Sequence, residues 1–161
     1  MSTASRTCAA AVVLALLNCM PAVHAAGAGT DFKSVPSLKL QPIGNYDAGT
    51  AGSAEIVAYD AASKRLFLVN AATATVDILD VSNPATPTLV TTINTSALGA
   101  PNSVAVGRGI VAVAVESVPK TNPGHIAFYT SSGELIKAVT VGALPDMITF
   151  TPDTYFVLTA N

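Results

Sequence analysis

From about residue 55 onward the chain is a succession of short runs in which apolar and β-branched residues alternate with polar ones, each run closed by turn formers. Glu55–Asp60, Arg65–Asn70, Thr75–Asp80 and Thr88–Asn94 each have the length and period of a strand. Between them, Asp60-Ala-Ala-Ser63 suits a tight polar turn. Ser82-Asn-Pro-Ala-Thr-Pro87 cannot continue a strand, because its prolines lack the donor N–H. No stretch of about 12 residues or more has a helical period. The pattern predicts an all-β chain.

The runs also repeat. Glu55-Ile-Val-Ala-Tyr-Asp60 matches Asn102-Ser-Val-Ala-Val-Gly107 and Asp146-Met-Ile-Thr-Phe-Thr151, at spacings of 47 and 44 residues. A second set follows each of these: Arg65–Asn70, Gly109–Glu116 and Tyr155–Asn161. These end 15, 14 and 15 residues after Glu55, Asn102 and Asp146. Third strands are Thr75–Asp80 and His125–Thr130, and fourth strands are Thr88–Asn94 and Glu134–Thr140. Four strands per period of about 40–50 residues is the signature of a β-propeller blade. The expected blades run about 55–94 and 102–141, with a third from 146, about two and a half in all. A sandwich of unrelated strands is the alternative, and it leaves the matched spacings unexplained. Leu38–Gly44 looks like one more fourth strand, which would complete a last blade at ring closure. A blade buries its faces only against neighbours, so the sequence reads as the N-terminal part of a longer protein.

The N-terminus bears on where the protein works. Met1–Arg6 is short and basic, Ala9–Leu17 is apolar, and Val23-His24-Ala25 offers the small residues that signal peptidase accepts. Residues 1–25 read as a signal peptide and 26–37 as a linker, so the mature protein is expected in the periplasm, at the cell surface or outside the cell. The apolar run is about half of the roughly 18 residues that a membrane span needs. A lipoprotein signal at Cys19 is disfavoured by the large polar Asn18 before it. Both cysteines, Cys8 and Cys19, fall in the removed segment, which leaves no disulfide, no Cys-ligated metal and no Cys nucleophile. Residues 26–161 hold seven Lys and Arg against ten Asp and Glu, a net charge of −3. That surface argues against nucleic acid, and no other segment is long and apolar enough to span a membrane.

Ala54-Glu-Ile-Val-Ala-Tyr-Asp60, Arg65–Asn70, Val76-Asp-Ile-Leu-Asp80, Pro101-Asn-Ser-Val-Ala-Val106, Val111-Ala-Val-Ala-Val-Glu116 and Gly142–Pro152 together resemble the choice-of-anchor I domain proteins. The resemblance runs from about Leu38 to Asn161. It implies an exported β-propeller related to the YVTN and LVIVD repeat types, held at the envelope by a C-terminal anchor. Some members are joined to phosphatase or nucleotidase domains, and no activity of the propeller itself carries over to particular residues. The chain departs from the pattern at Pro152-Asp153-Thr154-Tyr155, where a Gly usually follows Pro-Asp.

In such a fold the start of each innermost strand and the end of each second strand share one face. The repeat therefore gathers Glu55, Asn102 and Asp146 with Asn70, Glu116 and Asn161. Oxygen groups converging from several blades suit a hard cation such as Ca²⁺, or the hydroxyl and amine groups of an envelope or extracellular ligand. The same residues also suit strand ends that simply meet water. His125, beside Pro123-Gly124, reads as a surface-loop histidine. There is no Gly-x-Ser-x-Gly elbow, no His-Glu-x-x-His and no phosphate-cradling loop. The sequence favours an exported binding module over its alternative, a phytase- or phosphatase-like hydrolase working through a cation at the channel mouth.

Overall fold

The computed structural model describes residues 39–49 and 52–161; the signal peptide and linker expected at 1–37 lie outside the described residues. Among the described residues there are ten strands and no helix. The strands are β1 (Ala54–Asp60), β2 (Arg65–Asn70), β3 (Thr75–Asp80), β4 (Thr88–Asn94), β5 (Ala100–Gly107), β6 (Ile110–Glu116), β7 (Pro123–Thr130), β8 (Leu135–Ala143), β9 (Met147–Phe150) and β10 (Val157–Ala160). They form two four-stranded antiparallel sheets, ordered β1-β2-β3-β4 and β5-β6-β7-β8, and a two-stranded sheet β9-β10.

Each turn follows from its residues. Asp60 closes the β1–β2 turn by accepting from the Ser63 hydroxyl at 2.6 Å. The β5–β6 connection is only Arg108-Gly109, both at positive φ (50° and 74°), the conformation of a two-residue hairpin turn of type I′. Thr154 also stands at φ 61°, a region that suits Gly and disfavours a β-branched residue.

The sheets stack face to face because their middle strands are apolar on both sides. Residues 66–70 of β2 and 111–116 of β6 are all buried. Phe67, Val69, Val76, Ile78 and Ile93 of the first sheet meet Val104, Val111, Val113, Val115, Ala127 and Tyr129 of the second. The opposite face of the second sheet, with Ala112, Ala114 and Ile126, takes Ile148, Phe150 and Val157 of the third. Each large side chain buried this way contributes about 1.5–3 kcal/mol. Arg65 ties the first two sheets at their turns, donating to the Ser131 carbonyl at 2.6 Å. The Arg108 guanidinium lies 4.5 Å from the Tyr155 ring centroid and ties the second to the third. Contact between sheets concentrates on the inner strands, with β1 and β2 against β5, and β5 and β6 against β9.

The strand expected at Leu38–Gly44 does not form: residues 39–44 join no ladder. Pro42 has no N–H to give, and the Pro84 carbonyl oxygen would sit 1.9 Å from a Cβ on Gly44, so this stretch meets a turn rather than a strand edge. It continues as a strap in which Tyr46 packs on Leu66, Leu79 and Val81, over the face of the first sheet turned away from the second.

Candidate functional site

The six polar positions lie as three neighbouring couples, each at the same end of its sheet. In the first sheet Ala54 faces Asn70, and Glu55 follows within a bulge before Val57. In the second, Ala100 faces Glu116, and Asn102 is the extra residue of a bulge between Pro101 and Ser103. In the third, the Asp146 N–H donates to the Ala160 carbonyl at 3.0 Å, which sets Asp146 beside Asn161. Bulges re-aim side chains at strand ends.

The second pair is a closed polar unit. Asn102 Nδ2 donates to Glu116 Oε2 at 3.0 Å and to the Pro145 carbonyl at 3.1 Å. Lys120 Nζ reaches the other carboxylate oxygen, Oε1, at 3.0 Å. Glu116 is buried, so both its oxygens are occupied away from water. Because Pro145 precedes Asp146, this unit also joins the polar ends of the second and third sheets. Glu55, Asp146 and Asn161 remain exposed.

Asn70 stands apart from Glu116. In β2 it alternates with Phe67 and Val69, which face the second sheet, and so it points to the outer face with Leu66 and Leu68. Its cross-strand neighbour is Thr75, whereas the matching residue of the second sheet, His125, pairs with Val115. The structural counterpart of Asn70 is therefore Val115, and Glu116 lies one residue further on, aimed at the third sheet. The turns explain this: four residues separate β1 from β2 and only two separate β5 from β6, so equal spacing in sequence is not equal register. Asn70 Oδ1 is buried with no hydrogen-bond partner.

His125 is not in a surface loop. It lies in β7, half-buried, with Nδ1 enclosed and unpartnered, because Pro123-Gly124 belongs to the strand. The missing Cβ of Gly124 makes room for the Pro145 ring and the Val115 carbonyl.

Sequence reasoning missed Asp77. It is buried on the outer face of the first sheet, and among the described residues its carboxylate accepts from the Thr92 hydroxyl at 3.3 Å. The Tyr46 phenol is pushed above its ordinary pKa by burial first, then by the charges of Asp77 and Asp47. A signal for Asp77 exists in the repeat, since Thr75–Asp80 laid on His125–Thr130 puts it opposite Ala127. Among the described residues no group of three His, Cys, Asp or Glu side chains could hold a metal ion, and no helix is long and apolar enough to cross a membrane.

No curated protein matches the chain. A family model does: the choice-of-anchor I domain matches residues 55–161, which take in the three sheets from the second residue of β1 onward. The chain belongs to the choice-of-anchor I domain family.

Proposed function

We propose that the three sheets are consecutive blades of a β-propeller that works as a binding module on the exported face of the cell envelope. The observation that carries this is the concentration of inter-sheet contact on the inner strands, β1 and β2 against β5, then β5 and β6 against β9. Sheets that touch most closely through their first strands radiate from those strands, and a propeller is that arrangement closed. Family membership fits a protein associated with the cell surface, and the basic-apolar start ending at Ala25 fits export.

The ligand contact lies where the inner strands begin. Glu55, Asp146 and Asn161 present exposed oxygen and amide groups there, while the Asn102–Glu116 unit holds two of the strand ends in place. Hydrogen bonding to a polar ligand suits this donor set better than a Ca²⁺ cage, since among the described residues no three His, Cys, Asp or Glu side chains gather where a metal ion could sit. The test is co-sedimentation of the mature protein with envelope fragments of the producing cell. Wild type is expected to pellet with the envelope, and a Glu55→Ala, Asp146→Ala variant of equal stability to remain in solution. Equal pelleting of both refutes the rim as the contact.

A further inference from the structure

The outer face of the first sheet is built differently from the equivalent face of the second. Leu68, Asn70, Asp77 and Thr92 occupy one face of β2, β3 and β4, in the cross-strand register Leu68–Asp77–Thr92. The same register in the second sheet reads Val113–Ala127–Ala138, with Val115 in the place of Asn70. There Val113, Val115 and Ala127 press against the first sheet. The first sheet has a carboxylate, a carboxamide and a hydroxyl at those positions.

The polar groups it carries are short of donors. Asn70 is 5% exposed and its Oδ1 has no partner. Asp77 is also 5% exposed; among the described residues its carboxylate accepts the long bond from Thr92 and pairs with no cation. A buried carbonyl oxygen without a donor is costly, a buried carboxylate without a cation is costly too, and one positively charged donor satisfies both. Asn70 and Asp77 are diagonal neighbours across antiparallel strands, about 7–8 Å apart at the backbone and somewhat less at Cβ. A single N–H-bearing cation donating to both oxygens, with bonds of about 2.8 Å, lies within reach of that pair. Tyr46, strapped over the same face and sensitive to the Asp77 charge, adds an aromatic surface of the kind that attracts organic cations.

We propose that this face holds an organic cation, an ammonium or guanidinium group, between Asn70 Oδ1 and the Asp77 carboxylate. The assignment stands on the face of β2–β4 and is independent of any ligand contact at the exposed strand ends. One carboxylate among neutral oxygens neutralises one such charge, and it falls short of the oxygen shell that a divalent ion takes.

The test is thermal unfolding of the mature protein with n-butylammonium or n-butylguanidinium chloride, against tetramethylammonium chloride, which has no N–H, and CaCl₂, all at one ionic strength. A saturable rise in Tm of about 2–4 °C is expected with at least one of the N–H-bearing cations, and none with tetramethylammonium or Ca²⁺. Asp77→Asn keeps the shape and the Thr92 bond. It is expected to raise the Tm of the unliganded protein, by removing an uncompensated buried charge, and to abolish the ligand shift. Glu55→Ala is expected to leave the shift intact. No shift with either amine, a rise with Ca²⁺ instead, or a shift that survives Asp77→Asn overturns the assignment.

Discussion

Glu116→Ala removes the acceptor that anchors the end of β6 to the start of the third sheet. Glu116 is 6% exposed and accepts from Asn102 and Lys120. A buried hydrogen bond to a charged group contributes about 1.5–3 kcal/mol. Asn102 keeps the Pro145 carbonyl after truncation, so its amide is weakened rather than orphaned. Lys120 is 68% exposed, and solvent screening limits its share to at most about 0.5 kcal/mol. The expected loss is therefore about 2 kcal/mol for Glu116→Ala and below about 1 kcal/mol for Glu116→Gln, which still offers an oxygen to Asn102. Urea unfolding followed by circular dichroism reads this as a lower midpoint at unchanged slope. A double-mutant cycle with Asn102→Ala isolates the pair, with a coupling of about 1.5 kcal/mol expected and near zero for Lys120→Ala. Equal losses for Ala and Gln, or no coupling to Asn102, would refute the reasoning.

Two further effects follow from the turns. Thr154→Gly relieves a β-branched residue held at φ 61° and is expected to stabilise by about 0.5–1 kcal/mol, less the Thr154 hydroxyl bond to the Asp153 carbonyl; chemical denaturation measures it. Asp80 has its pKa lowered mainly by accepting the Ser82 N–H. Its contribution is thus present above the unfolded value of about 3.9 and is lost as pH falls through the lower folded value. Asp80→Asn is expected to lose less stability than wild type on acidification below about pH 4, read from unfolding midpoints across that window.

Much of the fold is legible because alternation and turn residues agree. Arg65–Asn70, Thr75–Asp80 and Thr88–Asn94 coincide with β2, β3 and β4. The misplaced ends have local causes. β5 begins at Ala100 because Pro101 is accommodated beside a bulge. β10 is only Val157–Ala160, since Tyr155 and Phe156 belong to the turn opened by Thr154. Bulges and turn lengths leave little trace in a single sequence, and they decide register. That is why Asn70 and Glu116, similar in spacing, point to different faces of their sheets. Asp77 was hidden for a related reason: a polar residue in an alternating run reads as solvent-facing, and burial on an outer face is a tertiary fact.

The radiating arrangement is most directly tested by comparing two distances between the first and second sheets. Cys8 and Cys19 are the only cysteines in the chain, so spin labels can be placed by substitution in the processed protein. One pair, Ala61→Cys with Arg108→Cys, sits on the inner hairpin turns, and the other, Val90→Cys with Ile136→Cys, on the outer strands β4 and β8. Electron paramagnetic resonance should give an inner distance near the roughly 10 Å spacing of face-packed sheets and a clearly longer outer one. Equal inner and outer distances would mean parallel layers, as in a sandwich, and would contradict the propeller.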